Sequence, residues 1–317
     1  MQAKLTFLGT GTSLGVPIVG CSCNVCTSPD SKDKRLRASA LVEYGGLRIL
    51  IDAGPDFRYQ MLRQNVCALD AIFLTHNHKD HTGGIDDVRA LNYIARQAVA
   101  IWCEEPVYKS LKQSYGYIFS DIKYPGAPEV NIHLIDERPF IIYPGHSDKV
   151  LDWVHDVGYR YRLADGSLVP TGEPVAIAEK ADDAGYSGLC KGLGGDGVEI
   201  IPIRGLHDKM PVLGFRFGNI AYITDMSSLP HSELNKLKGL EHVSLNTVSY
   251  KPHHSHFSLD EALELAGRIG ARNTWLTHLS HTFPRHSEFE EQLALMCLQK
   301  GIKNKVRPAW DGLEIVG

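Results

Sequence analysis

The fold of this chain is decided by the stretch Ala71-Ile72-Phe73-Leu74-Thr75-His76-Asn77-His78-Lys79-Asp80-His81. Its apolar start has the length of a short buried strand, so the polar residues that follow should form the loop at the carboxyl end of that strand. Imidazole and carboxylate groups suit zinc, manganese and iron, and two histidines spaced by one residue can bind one ion from an extended loop. Asp80 and His81 are then available to a second ion. The stretch predicts a metal centre at the edge of a sheet.

The composition is that of an ordinary globular protein. A length of 317 residues allows one large α/β domain or two smaller ones, with a substantial core. The net charge of -4 gives no argument for binding nucleic acid or an anionic membrane. The amino terminus lacks the pattern of a secretion signal, and no apolar run has membrane-spanning length. We therefore expect a cytoplasmic protein with no membrane partner.

The cysteines predict a second metal site. The chain has 7 of them, and Cys21, Cys23 and Cys26 lie within six residues. Thiols at this spacing can converge on one tetrahedral zinc, which needs a fourth ligand from elsewhere. The alternative is three unpaired surface cysteines, but exposed thiols at this density are a chemical liability. An odd number of cysteines fits reduced thiols better than a disulfide framework.

Further polar residues follow predicted strands or stand before a predicted helix. A hairpin turning at Gly45-Gly46 ends at Asp52, and a strand over 198–203 leads towards His207. A second hairpin turns at Gly218-Asn219 and delivers Asp225, and a strand over 273–277 delivers His278. The pattern Ser258-Leu259-Asp260-Glu261 is a capping box that opens an amphipathic helix ending at Gly270, with His256 just before it. The spacing of apolar residues predicts another helix over 85–97.

The segment at about 143–197 interrupts this regularity. It is long for a connection between strands and ends in Gly192-Leu193-Gly194-Gly195-Asp196-Gly197. Such a segment is usually an insertion with structure of its own or a functional lid. The sequence leaves open whether it covers a pocket or forms an interface.

The order of these residues resembles a known family. The pattern His76-x-His78-x-Asp80-His81 resembles the signature of the metallo-β-lactamase superfamily, whose members hold one or two metal ions at the edge of an αββα sandwich. The resemblance implies an α/β fold, a four-layer αββα sandwich forming a single domain over 1–317 with the insertion at about 143–197. His207 resembles the third histidine of the superfamily, Asp225 its bridging aspartate and His278 its last metal histidine. The bridging aspartate is typical of the phosphodiesterase and ribonuclease Z side, and not of the β-lactamases.

The cysteine cluster narrows the resemblance to one branch. In PhnP-type phosphodiesterases, which hydrolyse phosphoribosyl cyclic phosphate, a Cys-x-Cys-x-x-Cys near the amino terminus joins a histidine of a His-x-x-His element to hold a structural zinc. The same pattern is present here in Cys21, Cys23, Cys26 and His281. The branch resembles dimeric enzymes, so a homodimer is expected.

The resemblance implies a dinuclear phosphodiesterase with these roles. One divalent ion, manganese, zinc or iron, is expected to bind His76, His78 and His207. A second such ion is expected to bind Asp80, His81 and His278, with Asp225 bridging the two. Asp52 is expected to orient the metal loop. The predicted catalytic residues are His256, as general acid for the leaving alkoxide after attack by a metal-bridged hydroxide, and Asp80. The expected substrate is a small, cyclic sugar phosphodiester.

Other functions compete with this interpretation. A tRNA-processing nuclease like ribonuclease Z would need a basic surface or a projecting arm, which the sequence does not show. A thioester or lactam hydrolase fits the context of Asp225 and His256 less well. A non-catalytic metal-binding sensor is the alternative from another class, but it would have no chemical need for the complete ligand set.

Overall fold

The fold is taken from a computed structural model that describes residues 1–124, 126–143 and 197–317, together with the backbone of four strands between residues 151 and 176. Apart from those strands, the predicted insertion lies outside the described residues. The strands are, in chain order, β1 (Ala3–Gly9), β2 (Ser39–Tyr44), β3 (Leu47–Ile51), β4 (Ala71–Phe73), β5 (Val99–Cys103), β6 (Val130–Leu134), β7 (Phe140–Ile142), β8 (Leu151–Val154), β9 (Gly158–Arg162), β10 (Leu168–Val169), β11 (Val175–Ala176), β12 (Val198–His207), β13 (Met210–Phe217), β14 (Ile220–Tyr222), β15 (His242–Asn246), β16 (Asn273–Thr277), β17 (Lys305–Pro308) and β18 (Glu314–Val316).

The helices connect these strands. The α-helices are α1 (Phe57–Arg63), α2 (Lys79–Thr82), α3 (Arg89–Ala95), α4 (Glu105–Ser114), α5 (Leu259–Ile269) and α6 (His286–Gln299). Short 3-10 helices cover Ser31–Asp33, Ile85–Val88, Gly116–Ile118 and His231–Leu237. Among the described residues, no helix combines the length and the apolar character needed to cross a bilayer.

The chain divides into two compact units. The first contains Met1–Val42 and Ile200–Gly317, and the second contains Glu43–Glu199. The single domain expected from the sequence stays a prediction.

The second unit is built on a parallel sheet with the strand order β11-β6-β5-β4-β3. Every residue of β4 is buried, as is usual for parallel strands covered on both faces. The carboxyl ends of parallel strands meet at one edge of the sheet. There β3 runs into Asp52 and β4 into the polar loop, and the Asp52 N–H donates to the carbonyl of Phe73 at 2.9 Å.

The polar loop continues into α2 and a tightly packed glycine pair. A Cβ on Gly84 would collide with the Gly54 carbonyl oxygen and lie 2.6 Å from Cβ of Phe57. The helix predicted over 85–97 begins as the 3-10 turn Ile85–Val88 and ends earlier than expected, because Arg96 adopts a left-handed backbone with φ of 52°. Glycine at residue 84 lets the metal loop lie directly against the backbone that follows β3.

The first unit contains a mixed sheet with the strand order β17-β16-β15-β14-β13-β12. The strands β14 to β17 are parallel, whereas β12, β13 and β14 pair antiparallel. The hairpin predicted at Gly218-Asn219 joins β13 to β14. In contrast to the prediction that the strand ends at residue 203, β12 continues through His207, and it pairs with β13 from Ile201 to His207. In the same unit β1 lies between β2 and β18.

The core of the first unit forms where α5 and α6 cover this sheet. Both hydrogen bonds of the predicted capping box are present at Ser258 and Glu261, and α5 ends at Gly270 with φ of 67°. Apolar side chains from both helices join one buried cluster with the sheet, among them Leu263, Ala266, Phe289, Leu293, Val243 and Leu245. Burying each large side chain contributes about 1.5–3 kcal/mol. The carboxyl ends of β14, β15 and β16 are thereby held rigidly at one edge.

Substitution of Gly84 by alanine tests the packing of the metal loop. The added methyl group meets backbone atoms that cannot move independently, so Gly84→Ala should lower the free energy of unfolding by about 1–3 kcal/mol or more. Urea denaturation measures the change. The control is Gly116→Ala, because a Cβ there has no atom within 4 Å. Equal stability of the two variants would contradict the proposed role of Gly84.

Candidate metal centre

The metal loop of the second unit is organised by the buried carboxylate of Asp52. Asp52 is 0% exposed and accepts hydrogen bonds from the Thr75 N–H at 2.9 Å, from the Thr75 hydroxyl and from Nδ1 of His81 at 2.7 Å. Burial raises the pKa of Asp52, while the His81 ring and the Thr75 donors oppose this shift. The hydrogen bonds offset the cost of burying a carboxylate and fix the loop that follows β4.

The same hydrogen bonds select the tautomers of two histidines. Because His81 donates from Nδ1 to Asp52, its lone pair is on Nε2, the form that binds a metal. The Thr75 hydroxyl donates to Asp52 and therefore accepts from Nδ1 of His76 at 2.9 Å. This leaves the lone pair of His76 on Nε2 as well. Asp52 thus prepares both rings for a metal, which supports its predicted orienting role.

The remaining polar groups of the loop lie close to these rings. The ring centroid of His76 is 4.7 Å from that of His78 and 4.2 Å from that of His81. An Asp80 carboxylate oxygen lies 3.3 Å from Nε2 of His81. Two ligand atoms at this separation fit one ion at metal–ligand distances of about 2.0–2.2 Å. The second unit therefore brings together all four predicted ligands of the loop.

The first unit carries a matching set at the ends of its parallel strands. An Asp225 carboxylate oxygen lies 3.1 Å from Nδ1 of His278, and the other lies 3.7 Å from Nδ1 of His256. The ligand atoms of His207, Asp225 and His256 all lie within 4.8 Å of one another. A group of imidazoles around one carboxylate has the chemistry of a divalent metal site. His256 is therefore placed either to bind a metal or to transfer a proton.

Neighbouring polar side chains hold Asp225 in position. The Thr224 hydroxyl donates to the Asp225 carboxylate at 2.7 Å. Asn246, at the end of β15, accepts from the Met226 N–H and donates to the Met226 carbonyl, both at 2.9 Å. Asn246 therefore clamps the peptide units that follow Asp225.

Three of the predicted site residues have a left-handed backbone, with φ of 62° at Asp52, 56° at Asp225 and 57° at His278. This conformation is unfavourable for residues with a Cβ and costs about 1–3 kcal/mol for each. All three lie directly after or near the end of a parallel strand, where the chain turns sharply. The surrounding hydrogen bonds offset this strain.

The cysteine cluster lies entirely in the first unit. The sulfur atoms of Cys21, Cys23 and Cys26 lie 3.3, 3.5 and 3.6 Å from Nδ1 of His281. A tetrahedral zinc with Zn–S of about 2.3 Å and Zn–N of about 2.1 Å would separate sulfur and nitrogen by about 3.6 Å. The four predicted ligands therefore match a closed tetrahedral site.

Hydrogen bonds around the sulfur atoms favour the thiolate form of one cysteine. The N–H of Cys26 donates to the sulfur of Cys23 and, with the neighbouring thiols and His281, lowers the pKa of Cys23 to about 6. The N–H of Ile18 donates to the sulfur of Cys26. Donors of this kind commonly orient metal-binding thiolates.

A buried network braces the chain that follows the cysteines. Arg35 donates to the Thr10 hydroxyl, to the Ala309 carbonyl and to Nδ1 of His286. The backbone N–H of His286 donates to Asp33 at 2.7 Å. Burial and the nearby Arg35 lower the pKa of His286 to about 4. His286 is therefore neutral at pH 7 and can accept from the arginine.

Comparison with known proteins places the chain in a family. A model described as the beta-lactamase superfamily domain matches residues 47–162 and 168–279. A solved structure described as a new diphosphatase from the PhnP family is 32% identical, with a TM-score of 0.74 and coverage of 100% of this chain and 98% of that one. The chain belongs to the PhnP family of the metallo-β-lactamase superfamily.

Other relatives have other activities in their names. An octanoyltransferase of Porphyromonas gingivalis is 32% identical over 315 residues, and the chain spans 51% of its length. A ribonuclease Z of Pyrobaculum calidifontis is 25% identical over 314 residues, which cover 92% of each chain. PhnP-family and ribonuclease Z relatives are metal-dependent hydrolases, and the metallo-β-lactamase fold implies binding of divalent metal.

Family membership confirms the predicted fold class, a mixed α/β fold with two large sheets flanked by helices.

The structure also contains site residues that the sequence patterns did not identify, namely Thr75, Thr224 and Asn246. Each is a single polar residue in or after an apolar strand. Their position at strand ends was the available signal, but their partners depend on the sheet register.

The low pKa of His286 predicts a pH-dependent contribution to stability. The unfolded chain, with a histidine pKa of about 6.5, binds a proton before the folded protein does. The contribution is therefore complete above about pH 6.5 and is lost as the pH falls towards about 4, by at most about 3 kcal/mol. Urea denaturation at about pH 7.5 and about pH 4.5 should show a smaller pH dependence in His286→Gln than in the wild type. An unchanged pH dependence would rule out this contribution.

Proposed function

We propose that the protein is a metal-dependent phosphodiesterase that acts on a small phosphodiester. The observation that carries the proposal is the complete set of metal-binding side chains, in the order of the family, in a chain that matches a PhnP-family diphosphatase over its full length. Tautomer selection by Asp52 and the grouping of imidazoles around Asp225 support it, because both prepare side chains for metal binding.

The proposed centre holds two divalent ions, manganese, zinc or iron. His76, His78 and His207 would bind one ion, Asp80, His81 and His278 the other, and Asp225 would bind both. When bound, two such ions lower the pKa of the attacking water and offset negative charge on the phosphoryl oxygens. Asp52 keeps His76 and His81 in the metal-binding tautomer. Asn246 and Thr224 keep the Asp225 carboxylate in place.

His256 is the proposed proton donor to the leaving oxygen. Burial, and then the nearby His278, lower its pKa to about 3, whereas Asp225 acts in the opposite direction. An anionic phosphodiester beside the ring would add a second negative charge and favour the protonated form. Substrate binding would therefore prepare the acid. General acid catalysis of this kind contributes about 10²–10⁴-fold.

The variant His256→Ala separates the two roles open to this side chain. If His256 is the general acid, His256→Ala should lose most of its turnover, about 10²–10⁴-fold, and its metal content should be unchanged. Turnover of bis-p-nitrophenyl phosphate and elemental analysis measure the two quantities. The exposed His254 provides the control His254→Ala, which should retain both. Loss of metal from His256→Ala would instead make His256 a ligand.

We also propose that Cys21, Cys23, Cys26 and His281 hold one structural zinc. A closed site with four protein ligands contributes to folding and not to chemistry. Cys23→Ser should therefore lose one zinc per chain and unfold at a lower temperature. The control is Cys67→Ser, because Cys67 is exposed and lies in the other unit. A folded Cys23→Ser variant with unchanged zinc would refute the site.

The reaction class is tested with a panel of substrates. Metal-loaded protein should hydrolyse bis-p-nitrophenyl phosphate but not p-nitrophenyl phosphate or a thioester, and a chelator should abolish the activity. A diphosphate belongs in the panel because the PhnP-family relative is described as a diphosphatase. Activity on the thioester with no activity on the diester would overturn the mechanism.

A second candidate function is processing of RNA, since ribonuclease Z relatives align over most of the chain. The net charge of -4 does not favour RNA processing, because binding of RNA depends largely on contacts between cationic side chains and phosphate groups. Cleavage of a tRNA precursor at rates above those for the small diester would make RNA processing the leading function.

Measurement of the molecular size of the same preparation in solution tests the expected homodimer.

A further inference from the structure

Four histidine rings form a continuous series in the first unit. Ring centroids are 4.7 Å apart between His278 and His256, 5.2 Å between His256 and His253, and 4.5 Å between His253 and His254. Exposure increases along the series, from His278 at 2% to His253 and His254 at the surface. The proposed function uses the first two rings only.

The hydrogen-bonding form of His253 is set by its own loop. The Ser255 N–H lies 3.3 Å from Nδ1 of His253, and the Ser255 hydroxyl lies 3.2 Å from the same atom. A backbone N–H can only donate, so Nδ1 is the acceptor and the ring hydrogen of neutral His253 is on Nε2. His253 therefore presents an N–H donor on the side of the ring away from Ser255.

The loop that carries His253 is anchored. The Phe257 N–H donates to the Met226 carbonyl at 2.9 Å, and the Leu259 N–H donates to the Ser249 carbonyl at 2.9 Å. The Ser280 hydroxyl donates to the Val248 carbonyl at 2.6 Å. These bonds tie the loop to the turn after Asp225 and to the segment after His278. The position of His253 beside His256 is thus fixed by the first unit itself.

His253 offers one hydrogen-bond donor to an anion, because its Nδ1 already accepts from Ser255 and its ring hydrogen is on Nε2. Hydrogen bonds from such donors to charged oxygens are stronger than those between neutral groups.

We propose that His253 is a substrate-binding residue whose Nε2–H donates a hydrogen bond to a charged phosphoryl oxygen beside the leaving oxygen that His256 protonates. This inference rests on the proposed function, which supplies the substrate class and the role of His256. It assigns to His253 the orientation of the phosphoryl group and leaves proton transfer to His256. His254 contacts His253. It takes no part in binding the phosphoryl group.

The test uses two substitutions at His253 and one control. His253→Phe keeps an aromatic ring but removes the donor, whereas His253→Gln keeps an N–H close to the position of Nε2. The control is His254→Phe, which changes the adjacent exposed ring. The measurements on manganese-loaded protein are bis-p-nitrophenyl phosphate kinetics, the Kd of inorganic phosphate by calorimetry, and metal content.

The expected result is a loss of binding at unchanged metal content. His253→Phe should lower kcat/KM by about 10- to 100-fold, mainly through KM, and weaken phosphate by a similar factor. His253→Gln should recover most of the loss, and His254→Phe should stay within about twofold of the wild type. Equal behaviour of His253→Phe and His254→Phe, loss of metal from His253→Phe, or a wild type that binds no phosphate would each overturn the inference.

The two proposals fail in different ways. If the wild type hydrolyses the diester and His253→Phe does so equally well, the role of His253 is wrong and the proposed function stands. If the wild type binds phosphate through His253 but hydrolyses no diester, the contact stands and the proposed function is wrong.

Discussion

The structure of the second unit depends on the carboxylate of Asp52, which is buried away from water. Thr75 and His81 surround the Asp52 carboxylate with donors, and these offset the cost of its burial. Satisfying its oxygens also determines which nitrogen of His76 and His81 carries hydrogen. One electrostatic requirement therefore fixes the loop, the ring orientations and the metal-binding atoms together. Removal of either partner would leave a buried polar group unsatisfied, which is among the costlier defects in a folded protein.

In the first unit, the backbone positions the site residues. Adjacent parallel strands deliver Asp225, Asn246 and His278 to one edge of the sheet, and two of these residues have a left-handed conformation that disfavours side chains. The free energy gained by packing the helices on the sheet offsets the cost of this strain. A well-packed core and a strained edge are therefore parts of one arrangement, because the edge keeps its geometry only while the strands beneath it cannot shift.

Much of this arrangement was predictable from local patterns. Apolar runs located the strands, and in parallel sheets the residues after such strands gather at one edge, so His76, Asp225 and His278 could be named without coordinates. The cysteine spacing indicated a second site. The left-handed conformations could not be assigned from the sequence, because even Asp and His adopt them at only a small fraction of positions, which the tertiary context selects. The clamp made by Asn246 and the ring series through His253 depend on strand register and loop conformation, which sequence patterns do not specify.

The short segment from His278 to His281 links two chemically different places. Its first residue lies beside Asp225, its last faces the three thiols, and between them the Leu279 N–H donates to the Thr10 carbonyl at 2.8 Å. A segment of this length held at both ends and in the middle has little freedom to absorb a displacement. The thiol at residue 21 and the ring at residue 278 are thus held at opposite ends of one restrained segment. Although 257 positions apart in the sequence, the two would behave mechanically as neighbours.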